Sequence, residues 1–136
     1  MTNTVSINGD TTYHTQKDIV QRTEDDIYKY PVVYTLKQSG PSFWYARDNT
    51  HHFGIPKILM GRGLGQPVLD LKGEMAPCEF SYYITAEDTD ILEKMYNALC
   101  NPECIKLCKQ LGSGKGHNYL KEAVGLLHKD FWKRFQ

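Results

Sequence analysis

The sequence predicts an α+β fold, on three observations. β-Branched and aromatic residues cluster in short runs through the first two thirds of the chain. The apolar period changes to 3.6 after Thr85. The 136 residues hold 40% hydrophobic residues, enough for one core and no obvious second one. Strands first and helices second favour segregated layers, with a mainly antiparallel sheet packed against two or three C-terminal helices.

Each element has its own signal. Residues 1–27 are polar, with two basic and five acidic groups, and read as a partly mobile N-terminal arm. Within it, "DIVQRTEDDIYKY" suggests a short helix. From residue 28 to 136 the chain reads as one α+β domain. "YPVVYTL" (30–36) and "SFWYARD" (42–48) flank "KQSGP", which predicts a hairpin. "FGIPKILMG" (53–61) and "QPVLDL" (66–71) form a second pair joined through "RGLG". "PCEFSYYIT" (77–85) reads as one further strand. Thr85 and Asp88 have the form of a capping box, and Ile91, Leu92, Met95, Ala98 and Leu99 recur on one helical face. Asn101-Pro102 starts a second helix, with Asn as N-cap and Pro at the first helical position. Cys104, Ile105, Cys108 and Leu111 make its buried stripe, and Gly112 ends it. "GSGKGHN" is a loop, a last helix covers about 119–127, and "HKDFWKRF" finishes the chain.

Composition narrows the function classes. No apolar run approaches the roughly 20 residues that span a bilayer, so no membrane partner is expected. The N-terminus has neither the basic region nor the apolar stretch of a secretory signal. An intracellular, cytoplasmic protein is the expectation, or one in host cytoplasm or a virion if viral. The formal net charge is zero but uneven: residues 101–136 carry seven basic and three acidic groups. That tilt permits a nucleic-acid face without demanding one.

Several motifs invite chemistry and fall short of it. "GRGLG" lacks the spacing of a dinucleotide fingerprint, and Pro67 blocks the helix start that would hold a pyrophosphate. It reads as a tight turn between strands, or as one whose backbone approaches DNA with Lys57 and Arg62 beside it. "LGSGKG" has Lys109 where a P-loop needs its first glycine and Gly116 where it needs Ser or Thr. It is a helix cap and loop, or a basic loop in which Lys115 and His117 touch phosphates. Cys100, Cys104 and Cys108 lie four apart, and Cys78 alone could complete a metal set. Buried thiols are the simpler reading, so no metal is expected. "NPEC" fails the Asn-Pro-Pro-aromatic motif of adenine methyltransferases at both later positions. His51 and His52 have no third ligand or nearby acid in sequence and read as an edge pair. In "KDFWKRF", Phe131, Trp132 and Phe135 anchor the tail while Lys129, Lys133 and Arg134 face out, or else the tail docks on a partner or on DNA phosphates.

Taken together, "YPVVYTL", "FWYARD", "HFGIPKILMGRGLGQPVLDLKGE" and "KDFWKRF" give the chain a likeness. From about Tyr30 to Phe135 it resembles the C-terminal target-recognition region of adenine-specific DNA methyltransferases of restriction–modification systems, in microbial and large-DNA-virus forms. The resemblance implies a non-catalytic DNA-recognition module, with duplex DNA as partner and a methyltransferase catalytic subunit as a second one. It implies a DNA-facing role for Lys57, Arg62, Arg47 and Lys72, and it transfers no catalytic residue. No cofactor is expected, because the glycine motif that would bind one is missing. Where relatives show a Gly-hydrophobic-Thr/Ser stretch, this chain has "EMAPCEF". The alternative is a protein-interaction or structural protein, viral in one version, that keeps the fold without DNA. Trp44, Tyr45 and Trp132 would then be interface candidates.

Overall fold

A computed structural model describes residues 4–37, 39–61, 65–112 and 119–136. The architecture is α+β, with two sheets and the helices to one side. β1 (Val20–Gln21), β2 (Tyr30–Lys37), β3 (Gly40–Ala46) and β6 (Ala76–Pro77) form one sheet in the order β1-β3-β2-β6. β4 (Lys57–Met60), β5 (Val68–Asp70) and β7 (Tyr82–Ile84) form the other, in the order β5-β4-β7. Every pairing is antiparallel except β2 with β6. The helices α1 (Thr89–Leu99), α2 (Pro102–Leu111) and α3 (Tyr119–Leu126) follow, then a terminal 3-10 helix, Phe131–Phe135.

The period of two along a strand explains the layering. On β2, Val32 faces Tyr13, Val20 and Cys78, while Val33 packs with Leu36 and Leu59 of the second sheet. On β4, Leu59 meets the first sheet, while Ile58 and Met60 enter the helical core with Leu92, Met95, Cys104 and Phe131. β4 is therefore buried on both faces, as its unbroken apolar "ILM" requires. Truncating one such side chain costs about 2–5 kcal/mol.

Both hairpins form as the sequence predicts, and the helical boundaries at Asn101 and Gly112 hold. Asn101 Oδ1 accepts from the Glu103 amide at 2.8 Å, with Pro102 at the start of the helix. Four expectations change. Residues 77–85 are not one strand. After β6 the chain turns at residues 78–81, where the Cys78 amide donates to Ser81 Oγ (2.9 Å) and Ser81 Oγ donates to the Val33 carbonyl (2.9 Å). This corner carries the backbone from one sheet to the other. The α1 N-cap is Asp88, which accepts from the Ile91 amide at 2.8 Å, and no Thr85 capping box forms. The run from residue 18 to 30 holds β1 and turns rather than a helix. On α2, Cys104 and Cys108 are buried as expected, but Ile105 and Leu111 are exposed.

The polar arm packs closely as well. Val5, Tyr13 and Val20 are buried. The Val5 amide donates to Leu127 O, and Asn8 and Tyr83 exchange backbone hydrogen bonds at 2.9 and 3.0 Å. Asn8 thereby extends the second sheet beside β7. A few apolar side chains spaced along a polar segment suffice to seat it, although its average composition resembles a mobile tail.

Candidate functional site

The segment after β3, residues 47–56, forms a loop that is polar from Arg47 to His52, apolar from Phe53 to Pro56 and fixed from below. Asp48 accepts from the Thr50 amide and hydroxyl at 3.3 and 3.1 Å, a turn in which a carboxylate replaces a backbone acceptor. The same carboxylate takes the Tyr13 hydroxyl proton bond at 2.7 Å, and that hydroxyl accepts from the His51 amide at 3.1 Å. Burial first, and then the bond to Asp48, push the Tyr13 phenol up to about 12. Asp48 is in turn held below the ordinary carboxylate range, chiefly by that phenol. Tyr13 meets Phe53 edge-on at 5.8 Å, and Phe53 meets Tyr30 likewise.

His52 is the described non-glycine residue with positive φ, at 68°. Such a backbone is uncommon outside glycine, with His among the residues that tolerate it best. Three contacts hold it there. Its Nε2 lies 2.8 Å from Asp10 Oδ2, and its ring meets Tyr83 edge-on at 5.0 Å. Its carbonyl accepts from Lys57 Nζ at 2.9 Å. Desolvation raises the Asp10 carboxyl, but hydrogen bonds from Thr12 and His52 outweigh it, and the net shift is downward.

Lys57 is the anchor of this loop. The β4–β5 register sets it directly opposite Asp70, and its Nζ donates to Asp70 Oδ2 (2.8 Å), His52 O and Ile55 O (3.0 Å). All three ammonium protons are thus used. Asp70 also accepts from the Glu74 and Met75 amides at 2.8 and 3.0 Å. Burial lowers the Lys57 pKa, partly offset by Asp70. Next to this pair, Gly73 (φ +68°) accepts the Gly54 amide at 2.9 Å. A Cβ on Gly73 would stand 2.3 Å from the Gly54 nitrogen, so only glycine permits the approach.

Two clefts flank Asp10. One, about 440 Å³, is lined by His51, His52, Ile55, Tyr83 and Thr85 among others. The second, about 420 Å³, runs along Thr11, Cys78, Glu79, Ser81 and Tyr82. Glu79 accepts from the Thr15 amide and hydroxyl and lies 3.3 Å from His14 Nδ1. Desolvation raises the Glu79 carboxyl, but the Thr15 bonds bring it below its ordinary value. The His52–Asp10 pair has the chemistry to orient a ligand proton. Three of the four thiols, in contrast, are buried: Cys104 and Cys108 lie in the helical core, and burial pushes Cys78 up to about 11, while Cys100 is half-buried. Among the described residues, no group of three or more His, Cys, Asp or Glu could hold a metal ion.

The expected DNA-facing residues separate. Lys57 is corrected: it is fully buried, and its charge is spent on Asp70 and two carbonyls, so it offers nothing to a phosphate. A cation inside a strand buried on both faces has to be neutralised across the register, and sequence alone shows only the charge. Arg47 and Lys72 are exposed, one opening the loop and the other in the turn after β5. Arg62 and Lys115 lie outside the described residues. Of the aromatic candidates, Trp44 and Tyr45 are half-buried and Trp132 is buried.

Sequence reasoning missed Asp10, Tyr13, Asp48 and Asp70. The first two sit in an arm read as loose. Asp70 had a usable signal, since pairing 53–61 with 66–71 brings Lys57 and Asp70 near each other. Among the described residues no helix is long and apolar enough to cross a membrane. No family model, no curated protein and no solved structure matches the chain.

Proposed function

We propose that the chain is a non-catalytic DNA-recognition module, as its likeness to methyltransferase target-recognition regions implies, with the 47–55 loop and the Lys72 turn facing the duplex. The observation that carries this reading is a polar loop stiffened from beneath. Tyr13–Asp48 and Lys57–Asp70 fix its backbone while Arg47, Asn49, Thr50, His51 and Lys72 stay exposed. Arg47 and Lys72 contact phosphates and set the register, and Asn49 and His51 reach base edges. Pre-organisation limits the entropy lost on binding. A methyltransferase catalytic subunit is the second partner.

The test is a fluorescence-anisotropy titration with duplex DNA at low salt. Arg47→Ala or Lys72→Ala should weaken binding and lower the salt slope by about one each. No binding at concentrations on the order of tens of micromolar, with or without a methyltransferase subunit, overturns the reading.

One observation favours a protein-interaction role instead. Phe80 is 37% exposed and packs edge-on against Tyr34 at 5.4 Å, which is itself 5.3 Å from Trp44. Exposed aromatics beside a sheet suit a protein interface. A pull-down that recovers a protein, loses it on Phe80→Ser and contains no nucleic acid selects this reading.

A further inference from the structure

Cations gather around one indole at the C-terminal end of the chain. Trp132 belongs to the terminal 3-10 helix and is packed in the helical core. Lys94 Nζ, from α1, lies 5.2 Å from the ring centroid, and Lys133 Nζ lies 5.5 Å from it. Both distances allow a cation–π interaction. Lys94, Lys129, Lys133 and Arg134 are all exposed. Among the described residues none of the four has a carboxylate within 4.0 Å, because the ion pairs found there involve other cations. Trp132 Nε1 is buried with no hydrogen-bond partner, an unmet donor in the same cluster.

These features are unusual for an idle surface. Lysine side chains on a protein surface ordinarily sample many rotamers, and ordering them costs free energy. Here each of two ammoniums lies within cation–π range of one ring, and neither has a carboxylate partner among the described residues. Arg134 adds a planar fork suited to paired oxygens. Asp90 and Glu93 on α1, and Asp130 beside the 3-10 helix, moderate the local field without pairing to these cations.

We propose that Lys94 and Lys133, both within reach of the Trp132 ring, together with the exposed Arg134 next in sequence form a second contact for a phosphodiester backbone. The proposal rests on the DNA-recognition reading and adds a site that reads no sequence. Ammonium and guanidinium groups recognise phosphate oxygens, and duplex DNA supplies these at high density. The 47–55 loop then selects among sequences, while the C-terminal cluster grips whichever duplex is present.

The experiment uses the full chain and fluorescein-labelled duplexes of several sequences, titrated across a range of KCl. Lys94→Ala, Lys133→Ala and Arg134→Ala should each weaken binding equally for all duplexes. Each should lower the salt slope by about one, whereas Lys133→Arg should retain it. Urea unfolding of each variant confirms that the fold is intact. If the wild-type chain binds duplex DNA and the three variants match it in affinity and slope, the second contact is overturned and the recognition reading stands. If the wild-type chain binds no duplex at low salt, both fall. Poly-glutamate binding that depends on these cations, with duplex binding unmoved, assigns the cluster to an acidic protein and also overturns the proposal.

Discussion

The two hairpins are built alike and used differently. In β2–β3, Val32 meets the arm and Val33 the second sheet, and further along the polar pair Thr35–Ser42 sits half-buried with its hydroxyls 2.7 Å apart. In β4–β5, the cross-strand polar pair is Lys57–Asp70, enclosed and satisfied by four hydrogen bonds besides its own, two donated by Nζ and two accepted by the carboxylate. A hydroxyl pair near water is a minor contributor to stability. A sealed ion pair is a structural commitment, because removing one member strands the other.

The largest expected effect tests that contrast directly. Lys57→Met should destabilise the protein by about 3–5 kcal/mol in urea unfolding, since Asp70 is left charged and buried. Adding Asp70→Asn should recover part of this, because the amide oxygen still accepts from the Glu74 or Met75 backbone. A Lys57→Met variant as stable as wild type would show that the pair is not the anchor of the loop. Gly65→Ala comes next, at about 1–3 kcal/mol. Gly65 has φ +113°, and a Cβ there would lie 2.2 Å from the Leu36 carbonyl oxygen. A calorimetric Tm unchanged by the substitution would contradict that close approach. In the outer hairpin, Thr35→Val with Ser42→Ala should cost only about 1 kcal/mol by the same measurement. A loss matching that of Lys57→Met would erase the distinction between the hairpins.

The smallest effect concerns pH. Asp10, Asp48 and Glu79 all hold folded-state values below their ordinary ones. Their stabilising contribution is complete above the unfolded carboxylate range of about 4 and is lost as pH falls through the lowered values. All three fasten residues 10–15 to the body, so limited proteolysis between pH 5 and pH 3 should cut this segment first. Glu79→Gln should show earlier cleavage at pH 5. Uniform cleavage along the chain would mean that the carboxylates do not hold the arm.

Strands with alternating or branched residues, and the helix capped by Asn101, were legible, whereas the sequence pattern starts α1 at Thr85 and its N-cap lies at Asp88. The hairpin at 30–48 and the Asn101–Pro102 start follow from local chemistry that tertiary contacts reinforce. The site was less legible because its parts are distant in sequence. His52 gains meaning only beside Asp10, and Lys57 only beside Asp70. The "PCEFSYYIT" run reads as continuous because each residue suits a strand. The break at 78–81 depends on Ser81 reaching Val33, a contact that no local pattern encodes.

That corner has a consequence for how the molecule assembles. β6 cannot pair with β2 until some forty intervening residues have found their places, a costly closure in the chain's entropy. Once made, it ties the edge of one sheet to the start of the other within four residues. Neither sheet can then melt alone, and amide hydrogens at Val33 and at Ile84, which is paired with Ile58, should exchange at a common rate set by global opening.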